Sequence, residues 1–344
     1  MRVTLGEGNT PLVESVRIGP RHGAARLLFK LENCNPSGSY KDRFIAAALD
    51  HMLRGGARAC MATSSGNTGS ALAAYCARYQ VKCLIAVNQD APAGKLAQMQ
   101  AHGATVIRIA DFVTDPAVTG QVFAALREVS ASRNVPLIVS AYRYCPEGMQ
   151  GVESIATELA RAEAGIEHVF VPVGGGGLYS AVARGFQAAG RATKVHAVQP
   201  VGCSTVVASF TRGDDEIRSV RSTTRVSGLS VPFDIDAGLA LGHLRACGGR
   251  GFAVSDEAVF AAQVRMLEQE GIYCEPAGAT AMAGWVEAVE NGVISPQETA
   301  VCLVTGHGFK DPASVDIAAG RHPGLTLAPG QVGEALADLL GSAQ

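Results

Sequence analysis

Charge is scarce in this sequence. Asp, Glu, Lys and Arg make up 17% of its 344 residues, and 29 basic residues against 31 acidic ones leave a formal net charge of −2. A nucleic-acid ligand calls for clustered Lys and Arg, so none is expected. Long apolar runs are missing too. No stretch approaches the ~20 residues that span a bilayer, and Met1-Arg2-Val3-Thr4-Leu5-Gly6-Glu7 opens without the apolar core of a signal peptide. The nine cysteines include no C-x-x-C pair and stand singly among apolar or small residues, as in Arg58-Ala59-Cys60-Met61. Such usage argues against a secreted disulfide framework and suits reduced thiols. The histidines show no metal-ligand spacing, so no metal is expected. Together these absences predict a soluble cytoplasmic protein with no nucleic-acid or membrane partner.

What the chain does have is apolar content, 47% hydrophobic, and length enough for one large or two ordinary domains. Its 40 glycines follow no collagen period and belong in turns and close backbone approaches. Short apolar runs at 27–31, 83–87, 105–109, 137–139, 169–173, 195–198 and 301–305 alternate with Ala-rich, helix-like stretches at 44–53, 69–78, 95–102, 122–133 and 152–162. Runs too apolar for one exposed face, alternating with helices, predict an α/β fold with a buried, mostly parallel sheet. Residues 209–246 are the least regular and read as a solvated surface excursion.

Parallel sheets bind ligands beyond the carboxyl ends of their strands, which directs attention to four strand-to-helix loops. In Asn35-Pro36-Ser37-Gly38-Ser39-Tyr40-Lys41-Asp42-Arg43, Ser39 is a plausible helix N-cap and Lys41 falls in the first helical turn. The positive end of the helix dipole there favours the neutral amine that a Schiff-base nucleophile requires. The alternative is a surface lysine paired with an aspartate. Thr63-Ser64-Ser65-Gly66-Asn67-Thr68-Gly69 gathers hydroxyls and an amide at a strand end, either an anion site or a polar N-cap loop. Gly174-Gly175-Gly176-Gly177-Leu178 offers free backbone amides for a phosphate but matches neither the NTPase nor the dinucleotide fingerprint. The bland alternative is a flexible turn. Thr305-Gly306-His307-Gly308-Phe309-Lys310-Asp311 places a hydroxyl at a strand end, and His307 in its Gly-flanked turn reads as structural rather than as a general base.

Taken in order, these loops resemble the fold-type II pyridoxal-phosphate enzymes, which include threonine synthase, serine and threonine dehydratases and cysteine synthase. Gly6-Glu7-Gly8-Asn9-Thr10-Pro11-Leu12 and Glu275-Pro276-Ala277-Gly278-Ala279 complete the set, which covers nearly the whole chain. The resemblance implies two open parallel-sheet α/β domains with the cofactor in the cleft between them. Residues 1–43 and 141–344 would form the larger domain and 44–140 a smaller, mobile one, usually in a homodimer. It implies pyridoxal 5'-phosphate held by Lys41, which then serves as acid and base at the substrate's Cα. Asn67 would meet the ring hydroxyl, Gly174, Gly175, Gly176, Gly177 and Leu178 the phosphate, and Thr305 the pyridine nitrogen. Ser64, Ser65 and Thr68 would hold the carboxylate of an amino-acid substrate.

Threonine synthases are the nearest pattern, with two departures. They usually carry Asn and Ala in the phosphate cup, where this chain's glycines look like those of dehydratases. They also carry an Asn-Pro-x-Arg-x-Glu-Gly-Gln-type segment for a phosphorylated substrate, where this chain reads Ser140-Ala141-Tyr142-Arg143-Tyr144-Cys145-Pro146-Glu147-Gly148-Met149-Gln150-Gly151. With Gly151 aligned to the motif's glycine, the arginine position falls on Gly148, and Arg143 is the nearby cation left to contact a substrate phosphate. Met149-Gln150-Gly151 with Glu158 is also similar to ammonia-lyases acting on diaminopropionate. Ser227-Gly228-Leu229 resembles the loop that dehydratases place over the cofactor. Three readings follow: a threonine synthase-like reaction, an ammonia-lyase or replacement enzyme, and, from another class, a non-catalytic cofactor-binding protein.

Overall fold

The computed structural model describes residues 2–64, 66–91, 93–113 and 115–341. Ten strands occur among them: β1 (Leu12–Glu14), β2 (Leu27–Leu31), β3 (Ala59–Ala62), β4 (Lys82–Asn88), β5 (Thr105–Ile109), β6 (Leu137–Ile138), β7 (His168–Pro172), β8 (Lys194–Pro200), β9 (Gly251–Val254) and β10 (Ala300–Val304). They form a six-stranded sheet in the order β1-β2-β10-β7-β8-β9 and a four-stranded sheet in the order β5-β4-β3-β6. Every pairing is parallel except β1 with β2. Both β7 and β10 are buried along their whole length, which is why their sequences are continuous apolar runs. The edge strand β5 is half exposed and mixes Thr and Arg with its apolar residues. No helix among the described residues is long and apolar enough to cross a membrane, and the nine cysteines are free thiols.

The expected strands at 27–31 and 105–109 fall at those bounds. Short β1 and β9, at the edges of the large sheet, carry too few apolar residues to be read beforehand. Helices begin earlier than periodicity suggests: Lys41–Arg54, Asn67–Arg78 and Pro146–Ala162 open with polar or Pro-containing turns. Glycines inside Pro146–Ala162 mark a close crossing. A Cβ at Gly151 would lie 2.4 Å from the Arg43 carbonyl oxygen, and one at Gly148 would lie 2.5 Å from Cε2 of Phe44. The reading of 209–246 as a solvated excursion is corrected. Val226 and Leu229 are buried there, and the helix Ala237–Ala246 buries Ala240, Leu241 and Leu244.

Two buried polar arrangements stand out. Arg43 binds Glu32 through Nε and Nη2, both at 2.7 Å, and Glu158 through Nη1 at 2.6 Å and Nη2 at 2.8 Å. Lys30 donates to Glu158 at 2.7 Å. Burial opposes ionisation of Glu158, yet bonds from Arg43 and Lys30 hold its carboxyl down to about 2. At the amino-terminal side of β7 and β8, away from the loops that follow those strands, the Arg250 amide donates to Nδ1 of His196. That leaves the Nε2–H of His196 to donate to Nδ1 of His168 at 2.8 Å, and the Nε2–H of His168 to face Glu298 at 3.4 Å.

Arg43→Met leaves fully buried Glu32 without its guanidinium, and urea denaturation should show a loss of about 3–5 kcal/mol. His196 is held down to about 3, by burial first and then by His168, Lys194 and Arg250, from an ordinary 6.5. The unfolded chain therefore binds the extra proton between those values. The histidine's contribution to stability is complete above pH 6.5 and drains as pH falls toward 3. A His196→Gln variant should show a shallower loss of stability between pH 7 and pH 5, and an unchanged slope would refute this account.

Candidate active site

The end of β2 runs into a tight turn that delivers Lys41 to the first position of its helix. The Asp42 carboxylate closes this turn by accepting from the Ser37 amide at 3.0 Å and the Ser37 hydroxyl at 2.7 Å. Burial pushes the Asp42 carboxyl up to about 6 despite those bonds. Ser39, the expected cap, accepts from the Lys41 amide at 3.4 Å through its hydroxyl. The turn is sewn to the end of β10, since the Tyr40 amide donates to the Thr305 carbonyl at 3.1 Å and the His307 amide to the Gly38 carbonyl at 2.9 Å. Lys41 Nζ donates to Ser140 Oγ at 2.8 Å, just beyond β6, and lies 4.6 Å from the centre of the Tyr40 ring.

Asn67 starts the helix that follows β3, and its side-chain amide donates to Glu275 Oε1 at 2.7 Å. Gly69 permits the fold-back of this loop, because a Cβ there would lie 2.2 Å from the Ser64 carbonyl oxygen. Ser64 and Thr68 line the same cleft, and Ser65 lies outside the described residues.

After β7 the glycine loop leads into the helix Gly177–Ala188, whose first turn receives no side-chain cap. Gly176 has φ +96°, and a Cβ there would lie 2.5 Å from the Asp236 carbonyl oxygen, while one at Gly174 would lie 2.9 Å from that of Gly228. The segment read as a surface excursion is thus the back wall of the loop, joined to it by the Asp236 amide donating to the Gly175 carbonyl at 2.9 Å. Thr305, 4% exposed, ends β10 on the cleft.

Together these loops surround a cleft of about 480 Å³, within the size range of small-molecule sites. Lys41, Asn67, Ser64, Thr68, Gly174, Gly175, Gly176, Gly177, Leu178 and Thr305 all line it. Arg143 does not: its side chain is exposed, with the guanidinium 5.9 Å from the Tyr144 ring centre. His307 stacks on Phe309 with centroids 4.4 Å apart, as a structural histidine would. Sequence reasoning did not single out Ser140, Gln98 or Lys310. Lys310 lines the cleft, donates to Gln98 Oε1 at 2.6 Å, and has its ammonium disfavoured by burial. Its only sequence signal is its place in the Thr305–Asp311 motif.

These residues fit pyridoxal phosphate. Lys41 offers a primary amine for the aldehyde. The glycine loop offers an uncapped helix start and a backbone cradle that side chains at 174 or 176 would force apart. Thr305 offers a neutral hydroxyl for the ring.

Comparison with known proteins agrees with this chemistry. Threonine synthase from Methanocaldococcus jannaschii is 33% identical over 320 residues, covering 90% of this chain and 77% of that protein. Threonine synthase from Methanosarcina acetivorans is 31% identical, covering 91% and 78%. The solved structure of maize serine racemase superposes with a TM-score of 0.76 at 21% identity, covering 98% of this chain and 94% of that one. Processed threonine deaminase isoform 2 from Solanum lycopersicum superposes at 0.77 with 22% identity, covering 91% and 83%. At such identities the two structures establish the shared fold. A family model described as pyridoxal-phosphate dependent enzyme matches residues 3–306, and the chain belongs to that family, with the fold-type II architecture and pyridoxal 5'-phosphate as its cofactor.

Proposed function

We propose that the protein catalyses elimination and replacement on an amino acid bearing a leaving group, and that its reaction is the conversion of O-phosphohomoserine and water to threonine and phosphate. The observation that carries this reading is the likeness to threonine synthases along nine-tenths of the chain, joined to a cleft whose polar groups suit the chemistry. When bound, pyridoxal phosphate supplies a conjugated ring that delocalises the electron pair left at Cα. Lys41 holds the cofactor, then takes and returns the proton at Cα, with the Ser140 hydroxyl 2.8 Å away to orient its amine. Asn67, tethered by Glu275, would meet the ring hydroxyl. The glycine loop and Leu178 would hold the phosphate through backbone N–H groups. Thr305, a neutral hydroxyl, cannot hold a proton on the ring nitrogen as a carboxylate would, which favours elimination and replacement over transamination. Ser64, Ser65 and Thr68 bind the substrate carboxylate and set the Cα–H toward Lys41. In this reading residues 44–140 act as a mobile domain whose closure excludes water, in a cytoplasmic homodimer.

A second reading, ammonia release by a deaminase or lyase of the same family, is favoured by Gly148. No guanidinium reaches the cleft from that position, because the glycine is pressed against Phe44, and Arg143 is outside the cleft. In the synthase reading Lys310 takes the anionic leaving group instead.

The test is the cofactor's visible absorption, recorded while O-phosphohomoserine, threonine, serine and diaminopropionate are added in turn, followed by product analysis. The synthase reading expects a spectral change with O-phosphohomoserine and release of phosphate without keto acid. Keto acid and ammonia from serine, threonine or diaminopropionate would instead establish the lyase. Lys41→Ala should abolish turnover, and a protein with no turnover before the substitution would be a non-catalytic cofactor carrier. Gly176→Ala, strained by its positive φ and by the Asp236 carbonyl, should weaken cofactor binding at least about tenfold, or ~1.4 kcal/mol. Lys310→Met should raise KM for O-phosphohomoserine while leaving that for serine nearly unchanged.

A further inference from the structure

Three cysteines separated by 15 and 6 residues meet behind the Asn67 loop. Cys60 on β3 and Cys83 on β4 are direct register partners, so their side chains share one face of the sheet. Cys76, on the covering helix Asn67–Arg78, brings its Sγ to 3.5 Å from that of Cys60. All three sulfurs lie within 4.8 Å of one another, and none of the residues is more than 5% exposed. Such a triangle has a common point roughly one metal–sulfur bond length, about 2.3 Å for zinc, from each corner. Neither His, Asp nor Glu joins the group among the described residues.

We propose that Cys60, Cys76 and Cys83 form a three-thiol binding site for a trivalent thiophilic ion, taken up as arsenite. Three sulfur donors exclude hard, oxygen-seeking cations. Structural zinc calls for a fourth ligand that the group does not supply. Charge makes the remaining choice. Three thiolates around a monovalent ion leave −2, around a divalent ion −1, and around a trivalent ion zero, and a buried core penalises any net charge. The reaction is a condensation without change of oxidation state: As(OH)3 plus three thiols gives As(SR)3 plus three waters. Three As–O and three S–H bonds break, and three As–S and three O–H bonds form. The bound ion ties β3, β4 and the helix carrying Asn67 to one point, which should stiffen the base of that loop.

The test uses the cofactor-loaded protein and arsenite itself. Native mass spectrometry should show a gain of one arsenic with a loss of three hydrogens, accompanied by a higher Tm. Cys60→Ala and Cys76→Ala, each checked for folding by circular dichroism, should weaken binding by roughly 10²-fold or more, since each removes one of three linked donors. Cys83→Ala serves if either fails to fold. Cys34→Ala, at the exposed cysteine, should bind as before. The proposal is overturned by the absence of an arsenic adduct, by an adduct that loses two hydrogens, by binding that survives all cluster substitutions, or by uptake of zinc or copper(I) in preference to arsenite.

Discussion

One guanidinium fixes where the lysine stands. Arg43 lies two residues after Lys41 and gives four hydrogen bonds to two carboxylates, one following β2 and one in the helix Pro146–Ala162. With Lys30 the group contains two cations and two anions, so the buried charges balance, as they must for such a cluster to be tolerated. The amino-terminal motif feeds the same cluster. The Thr10 hydroxyl donates to Glu32 at 2.6 Å, the Asn9 amide to Glu158 at 2.8 Å, and the Gly8 amide to Asn35, which itself donates to Glu32. Gly6–Leu12 is thus an anchoring segment, acting on the site through Arg43 rather than by touching it.

The cleft itself is crossed by hydrogen bonds between side chains. Asn67 meets Glu275, Gln98 meets Lys310, and Lys41 meets Ser140, each pairing a helix or loop beside one sheet with one beside the other. Bonds of this type contribute about 1 kcal/mol net and exchange readily with water or a ligand. The rigid parts of the site, the glycine loop and the Tyr40–Thr305 seam, are instead held by backbone contacts within the larger sheet's loops. A site built this way has a fixed floor and exchangeable walls.

Much of the cleft was legible in the sequence because its parts carry unusual local chemistry: four glycines after an apolar strand, hydroxyls around Gly66, a lysine after a Ser-Gly turn. Each lies at a strand end, where an α/β sheet puts its ligands. What was not legible is pairing over distance. Ser140 is 99 residues from Lys41, and Gln98 is 212 from Lys310, so no window of sequence holds both partners. The start at Lys41 is legible from its capping turn, whereas the starts at Asn67 and Pro146 precede the apolar stripe because their first turns are polar or contain Pro. Residues 209–246 misled for a related reason. Between Gly228 and Asp236 the order comes from backbone packed on the glycine loop, which leaves no hydrophobic period, whereas Ala237, Ala240, Leu241 and Leu244 do bury one face of a helix at the spacing that marks it.

The crossing at Gly148 bears on what the cleft can accept at that position. An arginine at that position would need the volume now filled by the Phe44 ring, and Ala48 stands just behind it at 3.1 Å. A side chain of that size at 148 therefore requires a smaller residue at 44, which by itself opens a cavity in the core. The two positions are therefore coupled through packing, and an arginine at 148 calls for both changes at once.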